Sequence, residues 1–165
     1  MENTRDRIAA FSGARDNRRT TTRSQIAEQD RARASSTETD CCLDHFVERE
    51  GIRFAGTHLV IDLWQASGLN DIEVVRAALH EAAEAAGATL LNIDLHSFTP
   101  QGGITGVAVL AESHISVHTW PEHAYAAVDV FMCGDAEPHK AVEVLRHAFR
   151  PRMLTISEHR RGVMP

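Results

Sequence analysis

Residues 111–122, AESHISVHTWPE, decide how this chain is to be read. Ser113, Ile115, Val117 and Thr119 alternate with His114, Ser116, His118 and Trp120, which is the period of two of a β-strand. One parity is apolar enough to face a core. The other carries two imidazoles, a hydroxyl and an indole, which a sheet buries only at a cost unless they are paired. Strand-like sequence also precedes the stretch, in ITGVAVLA at 104–111, so Glu112-Ser113 marks a bend between two strands.

Working outward, THLVIDLWQ (57–65), ATLLNIDLHSF (88–98), AYAAVDVFMC (124–133) and RMLTISEH (152–159) read as further strands, the last one short. Between the first two, Asn70 stands three residues before Glu73, a capping-box-like helix start. Ile72, Val75, Leu79, Ala82, Ala83 and Ala86 then recur at helical spacing, and Gly87 can end the helix. Pro138 opens a second helix carrying Val142, Leu145 and Phe149. Arg146, His147 and Arg150 lie near its C-terminus, where cations are favoured, and Pro151 stops it. The order is strand, helix, three or four strands, helix, strand. Short strand-to-strand connections favour antiparallel pairing, and two helices can cover only one face. The expected fold is α+β: a two-layer sandwich with an antiparallel sheet and two helices on one face. The uncovered face also carries Val and Ile, so a second copy of the chain is expected to pack on it.

The first 40 residues differ from the rest. Their only large apolar residues are Met1, Ile8, Phe11 and Ile26, and runs such as RTTTRS (19–24) and RASSTETD (33–40) cannot bury enough surface to offset ordering entropy. Residues 1–50 are expected to be a disordered extension and 51–165 the folded domain. The chain has 165 residues, 43% hydrophobic and 24% charged, with a net charge of −6. That acidity argues against nucleic-acid binding, which needs a basic face. No apolar run approaches the roughly 18 residues of a membrane span, and no signal peptide is visible. Cys41, Cys42 and Cys133 are odd in number and irregular in spacing, which is no disulfide framework. A cytoplasmic protein with a small-molecule substrate, and without nucleic-acid or membrane partners, is expected.

Three reactive groups stand out: Ser113 at the bend, His118 on the run after it, and Cys133 fifteen residues further on. On a hairpin the end of one strand lies near the start of its partner, so all three can converge. Serine beside histidine suggests nucleophile and base, although no G-x-S-x-G elbow is present. His96, His114, His118 and Cys133 are also metal-ligand types, but without C-x-x-C or H-E-x-x-H spacing. The plain structural reading is a turn serine, a sheet histidine and a buried small cysteine. Residue types alone leave all three open.

The stretch AESHISVHTWPEHAYAAVDVFMCG resembles the prokaryotic S-adenosylmethionine decarboxylase proenzymes. The similarity runs from AGTHLVIDLW through EAAGATLL to the closing ISEHRRG, roughly the last two-thirds of the chain. The resemblance implies that Ser113 Oγ attacks the carbonyl of Glu112 and that the chain cleaves itself into 1–112 and 113–165. His118 would transfer a proton during processing. Ser113 would become an N-terminal pyruvoyl group that forms a Schiff base with substrate, in place of pyridoxal phosphate and without a metal. Cys133 would then be the proton donor in turnover. It further implies substrate contacts for Phe98 (adenine stacking), Trp120 (near the sulfonium) and Glu122 (ribose hydroxyls). His114 and Ser116 would orient the bend, and Asp129 would steer a cation. The product would be decarboxylated S-adenosylmethionine for spermidine synthesis, made by a homodimer of processed protomers. The loop SFTPQGGITG is one residue longer than the usual family form, and relatives decarboxylate L-ornithine or L-arginine by the same chemistry. A basic amino-acid decarboxylase is therefore the alternative.

Overall fold

A computed structural model of the chain describes residues 46–99 and 102–165. Most of the expected disordered extension lies outside these residues. Its last few residues lie inside: β1 (Val47–Arg49) pairs antiparallel with β2 (Ile52–Phe54) in a hairpin turned by Glu50 and Gly51.

The main sheet has six strands: β3 (Gly56–Trp64), β4 (Leu90–Ser97), β5 (Ile104–Leu110), β6 (Ser113–Trp120), β7 (Tyr125–Cys133) and β8 (Met153–Arg161). Their order across the sheet is β4-β5-β6-β7-β3-β8, and every neighbouring pair is antiparallel. The last strand is not the short one its sequence suggested. It runs nine residues and pairs along the whole of β3, from Trp64↔Met153 to Gly56↔Arg161.

Helix α1 (Ile72–Ala85) follows β3, and α2 (Pro138–Phe149) follows β7. The N-cap of α1 is Asp71 rather than Asn70. Its carboxylate accepts from the amides of Glu73 and Val74 at 3.0 and 3.3 Å, satisfying donors that the first turn leaves free. Gly87 follows the helix with φ +74°, where glycine avoids the penalty a Cβ would meet. Val75, Ala78, Leu79, Ala82 and Ala83 form the buried face of α1; Ala141, Val142, Leu145 and Phe149 form that of α2.

Strand alternation sends the apolar parity under these helices. Leu59, Ile61, Leu63, Ala108, Leu110, Ile115, Val117, Val128, Val130 and Met132 are all buried there. The two-layer α+β arrangement is therefore as expected. The composition of the uncovered face is not. Val60, Val107 and Val109 lie on it, but Ile61, Ile93, Ile104 and Ile115 point to the helices. In place of isoleucine the open face carries histidines, aspartates and aromatic rings.

Candidate active site

The bend between β5 and β6 is a two-residue hairpin turn, Ala111 and Glu112, closed by the pair Leu110↔Ser113. Glu112 sits at φ +61°, the left-handed region that glycine or asparagine usually occupies. Holding a β-carbon there costs about 1–2 kcal/mol. The backbone just before Ser113 is therefore strained.

Ser113 meets Cys133 at this end of the sheet. The Cys133 amide donates to Ser113 Oγ at 3.1 Å. Burial pushes the Cys133 thiol above its ordinary range; a hydrogen bond with the Ser113 side chain opposes the shift, and the nearby Glu112 carboxylate adds to it. The thiol is thus protonated at neutral pH. Gly56 pairs with Cys133 across the strands, and a β-carbon on it would stand 2.9 Å from Cys133 Sγ and 2.6 Å from the Met132 carbonyl oxygen. Only glycine leaves the thiol its place. A cavity of about 210 Å³ opens here, bounded by Glu112, Ser113, Cys133 and the turns after α1 and β7.

His118 does not join this pair within the same chain. It lies five residues along β6, roughly 16 Å at about 3.3 Å per residue, and its parity points to the open face. The expected convergence of three groups is therefore corrected to two, because a strand cannot fold back on itself. His118 instead has a partner that sequence reading missed: its Nδ1 lies 2.6 Å from Thr105 Oγ1, directly across the strand pair. A two-residue turn that pairs Leu110 with Ser113 also pairs Thr105 with His118, so counting back from the bend would have found it.

The residues expected to contact substrate gather at the end of the sheet away from Ser113. Phe98 follows β4, is 52% exposed and packs edge-on against His96, with ring centroids 4.6 Å apart. Trp120 ends β6 and stacks on Tyr125 at 5.3 Å, which stacks on Trp64 at 4.3 Å. Glu122 is exposed on the 3-10 turn Pro121–His123. The Tyr125 hydroxyl donates to Asp62 at 2.6 Å, and that bond, aided by burial, pushes its pKa up to about 12. Thr119 anchors this end: its hydroxyl accepts from the Ile104 amide and donates to the Leu69 carbonyl, both at 2.8 Å.

His114 and Ser116 share the open-face parity with Asp129. Ser116 donates to Asp129 at 3.1 Å, while His114 packs against Phe131. The metal alternative fares poorly, since Cys133 is at one end of the sheet and His96 and His118 at the other. Among the described residues, no cluster of His, Cys, Asp or Glu is arranged to hold a metal ion, and no helix is long and apolar enough to cross a membrane.

Fold and site together define an α+β protein with a serine directly after a strained hairpin turn and a buried thiol beside it. A family model described as S-adenosylmethionine decarboxylase matches residues 57–162, and the chain belongs to that family. The S-adenosylmethionine decarboxylase proenzyme of Thermomicrobium roseum is 40% identical over 110 residues, covering 66% of this chain and 95% of that protein. The proenzyme of the same name from Parasynechococcus marenigrum is 50% identical over 109 residues, covering 64% of this chain and 84% of that one. The crystal structure of the adenosylmethionine decarboxylase from Aquifex aeolicus superimposes with a TM-score of 0.60 at 34% identity, covering 68% of this chain and 94% of that chain.

Proposed function

We propose that this chain is a self-processing S-adenosylmethionine decarboxylase whose working site is completed by a second copy of itself. The observation that carries the reading is the turn: a strained Glu112 backbone, the Ser113 hydroxyl directly after it, and the Cys133 amide and thiol against that hydroxyl. Family membership supplies the substrate.

The Cys133 N–H holds one lone pair of Ser113 Oγ. The hydroxyl proton can then leave as Oγ adds to the Glu112 carbonyl and the amide becomes an ester. Elimination takes the Ser113 α-proton and releases Glu112 as a carboxylate, leaving dehydroalanine at 113. Water replaces its nitrogen, ammonia departs, and a pyruvoyl group begins the chain 113–165. That group supplies an electron-accepting carbonyl for loss of carbon dioxide from an α-amino acid. Cys133, with its pKa raised, holds the proton returned to the substrate α-carbon.

The base for processing is His118. Thr105 engages its Nδ1, which leaves Nε2 for the reacting group. Since His118 lies some 16 Å from Ser113 of its own chain, it acts from a partner. Two open faces packed about a two-fold axis place the Ser113 end of each copy over the far end of the other. One symmetry operation then brings Phe98, His118, Trp120 and Glu122 to both turns.

Intact mass tests processing: two fragments divided at Glu112-Ser113 are expected, and Ser113→Ala must stay whole. Co-expressing Ser113→Ala with His118→Ala tests the sharing. Cleavage should reappear in the His118→Ala chain, and its absence from mixed dimers overturns action across the interface. Carbon dioxide release from carboxyl-labelled S-adenosylmethionine, ornithine and arginine, run in parallel, tests the substrate; release from either amino acid alone refutes the assignment.

A further inference from the structure

Five of the ten histidines of the chain project from one surface. His58 stands on β3, His96 on β4, His114 and His118 on β6, and His159 on β8, all on the parity opposite to the helices. The other charges on this surface are few: Asp62, Asp94 and Asp129 against Arg161 on the strands, with Glu112 and Glu122 in the turns at its two ends. Two further titratable groups stay neutral, Tyr125 because its phenol is bonded to Asp62, and Cys133 because burial raises it. β5 contributes only Thr105, Val107 and Val109. With neutral imidazoles the face carries a small negative charge. With all five protonated it carries a positive one, on both copies at once.

We propose that this histidine face makes assembly of the dimer pH-dependent, with acid driving the copies apart. The proposal rests on the dimer reading above. Imidazole is the side chain whose charge changes between about pH 5 and 8, and on a free chain this face is open to water. In the dimer they are sandwiched between two like faces, where an added charge is both desolvated and repelled. The monomer therefore binds more protons than the dimer, and by linkage acid favours the monomer.

His58 shows the effect already within one chain. Its Nε2 is buried without a hydrogen-bond partner and its Nδ1 lies 3.2 Å from the Arg161 guanidinium. Burial, then Arg161, His114 and His159, hold its pKa below the ordinary value. Asp129, 3.7 Å from Nε2, pulls the other way without prevailing. A second copy removes more water from this cluster.

The test is sedimentation of the full-length Ser113→Ala chain, which stays in one piece, at pH 7.5 and pH 5.5, with near-ultraviolet circular dichroism as the check on folding. Each imidazole whose pKa falls one unit on assembly weakens the dimer up to about tenfold below that range. The expected result is a dimer at pH 7.5 and a Kd at least about tenfold higher at pH 5.5, with the fold retained. His159→Gln should reduce the pH effect, and His58→Gln should reduce it less, because His58 is already disfavoured as a cation within one chain. A Kd that does not change with pH overturns the proposal but leaves the dimer standing. A monomer at both pH values overturns the dimer reading itself. Dissociation that follows loss of the dichroism signal, or a pH effect unchanged in both variants, overturns the assignment to this face.

Discussion

Thr119→Val isolates what one buried hydroxyl contributes to the site. Thr119 is 6% exposed, and its hydroxyl serves the Ile104 amide and the Leu69 carbonyl at 2.8 Å each. Valine keeps the shape and leaves both backbone groups without a partner. Each buried unsatisfied group costs about 1–3 kcal/mol. The Ile104 amide is the costlier orphan, because a carbonyl has a second lone pair with which to find water. A combined loss of about 2–4 kcal/mol follows. Thr119→Ser is the control, keeping the hydroxyl and losing one methyl, about 1 kcal/mol. Urea unfolding at fixed protein concentration, in the Ser113→Ala background, compares the two on a chain that cannot cut itself. With a slope near 2 kcal/mol/M, the valine variant should unfold about 1–2 M earlier than its parent, and the serine variant about 0.5 M earlier. A valine midpoint at or above the serine midpoint would refute the claim that these two bonds hold the strand ends together.

Alkylation of Cys133 by iodoacetamide should be slow at pH 7.5 and rise steeply only above the ordinary thiol range, because its raised pKa keeps the thiolate scarce; a fast neutral reaction would contradict the burial argument. Cys133→Ala should still yield both fragments yet lose most carbon dioxide release, and full turnover would remove it as the proton donor. Glu112→Gly in the Ser113→Ala background should raise stability by about 1 kcal/mol in urea titration, since glycine bears no left-handed penalty; an unchanged midpoint would show that the side-chain contacts of Glu112 offset it. Gly56→Ala should cost about 1–3 kcal/mol, as its β-carbon would press on the Met132 carbonyl and Cys133 Sγ.

Much of the fold was legible because two short-range rules set it. Alternation marked Ile115 and Val117 as core, and 3.6-residue spacing marked Val75 and Leu79. The cap was misplaced by one residue because Asn70 and Asp71 are both good caps, and only backbone direction chooses Asp71. β8 was read as short because its charged residues, Glu158 to Arg161, hide an edge strand; full pairing with β3 is a long-range fact. The site divided along the same line. The Ser113–Cys133 meeting follows from neighbouring strands whose ends lie at one end of the sheet, and the chemistry of the motif pointed to it. The distance from Ser113 to His118 was available from strand rise alone, but a dense motif in sequence invites the assumption of a dense cluster in space.

The sheet order has a kinetic consequence for a chain cut at Glu112-Ser113. The first piece owns β3, β4 and β5, and the second owns β6, β7 and β8. Because β3 lies between β7 and β8, the pieces interleave rather than abut, and neither can leave without stripping β3 of partners on both sides. The same interleaving works against recovery. The intact precursor folds in a first-order process, whereas the severed protein, once unfolded, must find its other half by collision and thread β3 back between two strands. Refolding yield should therefore fall on dilution for the cut form alone, which makes the precursor the only stage at which this fold is readily acquired.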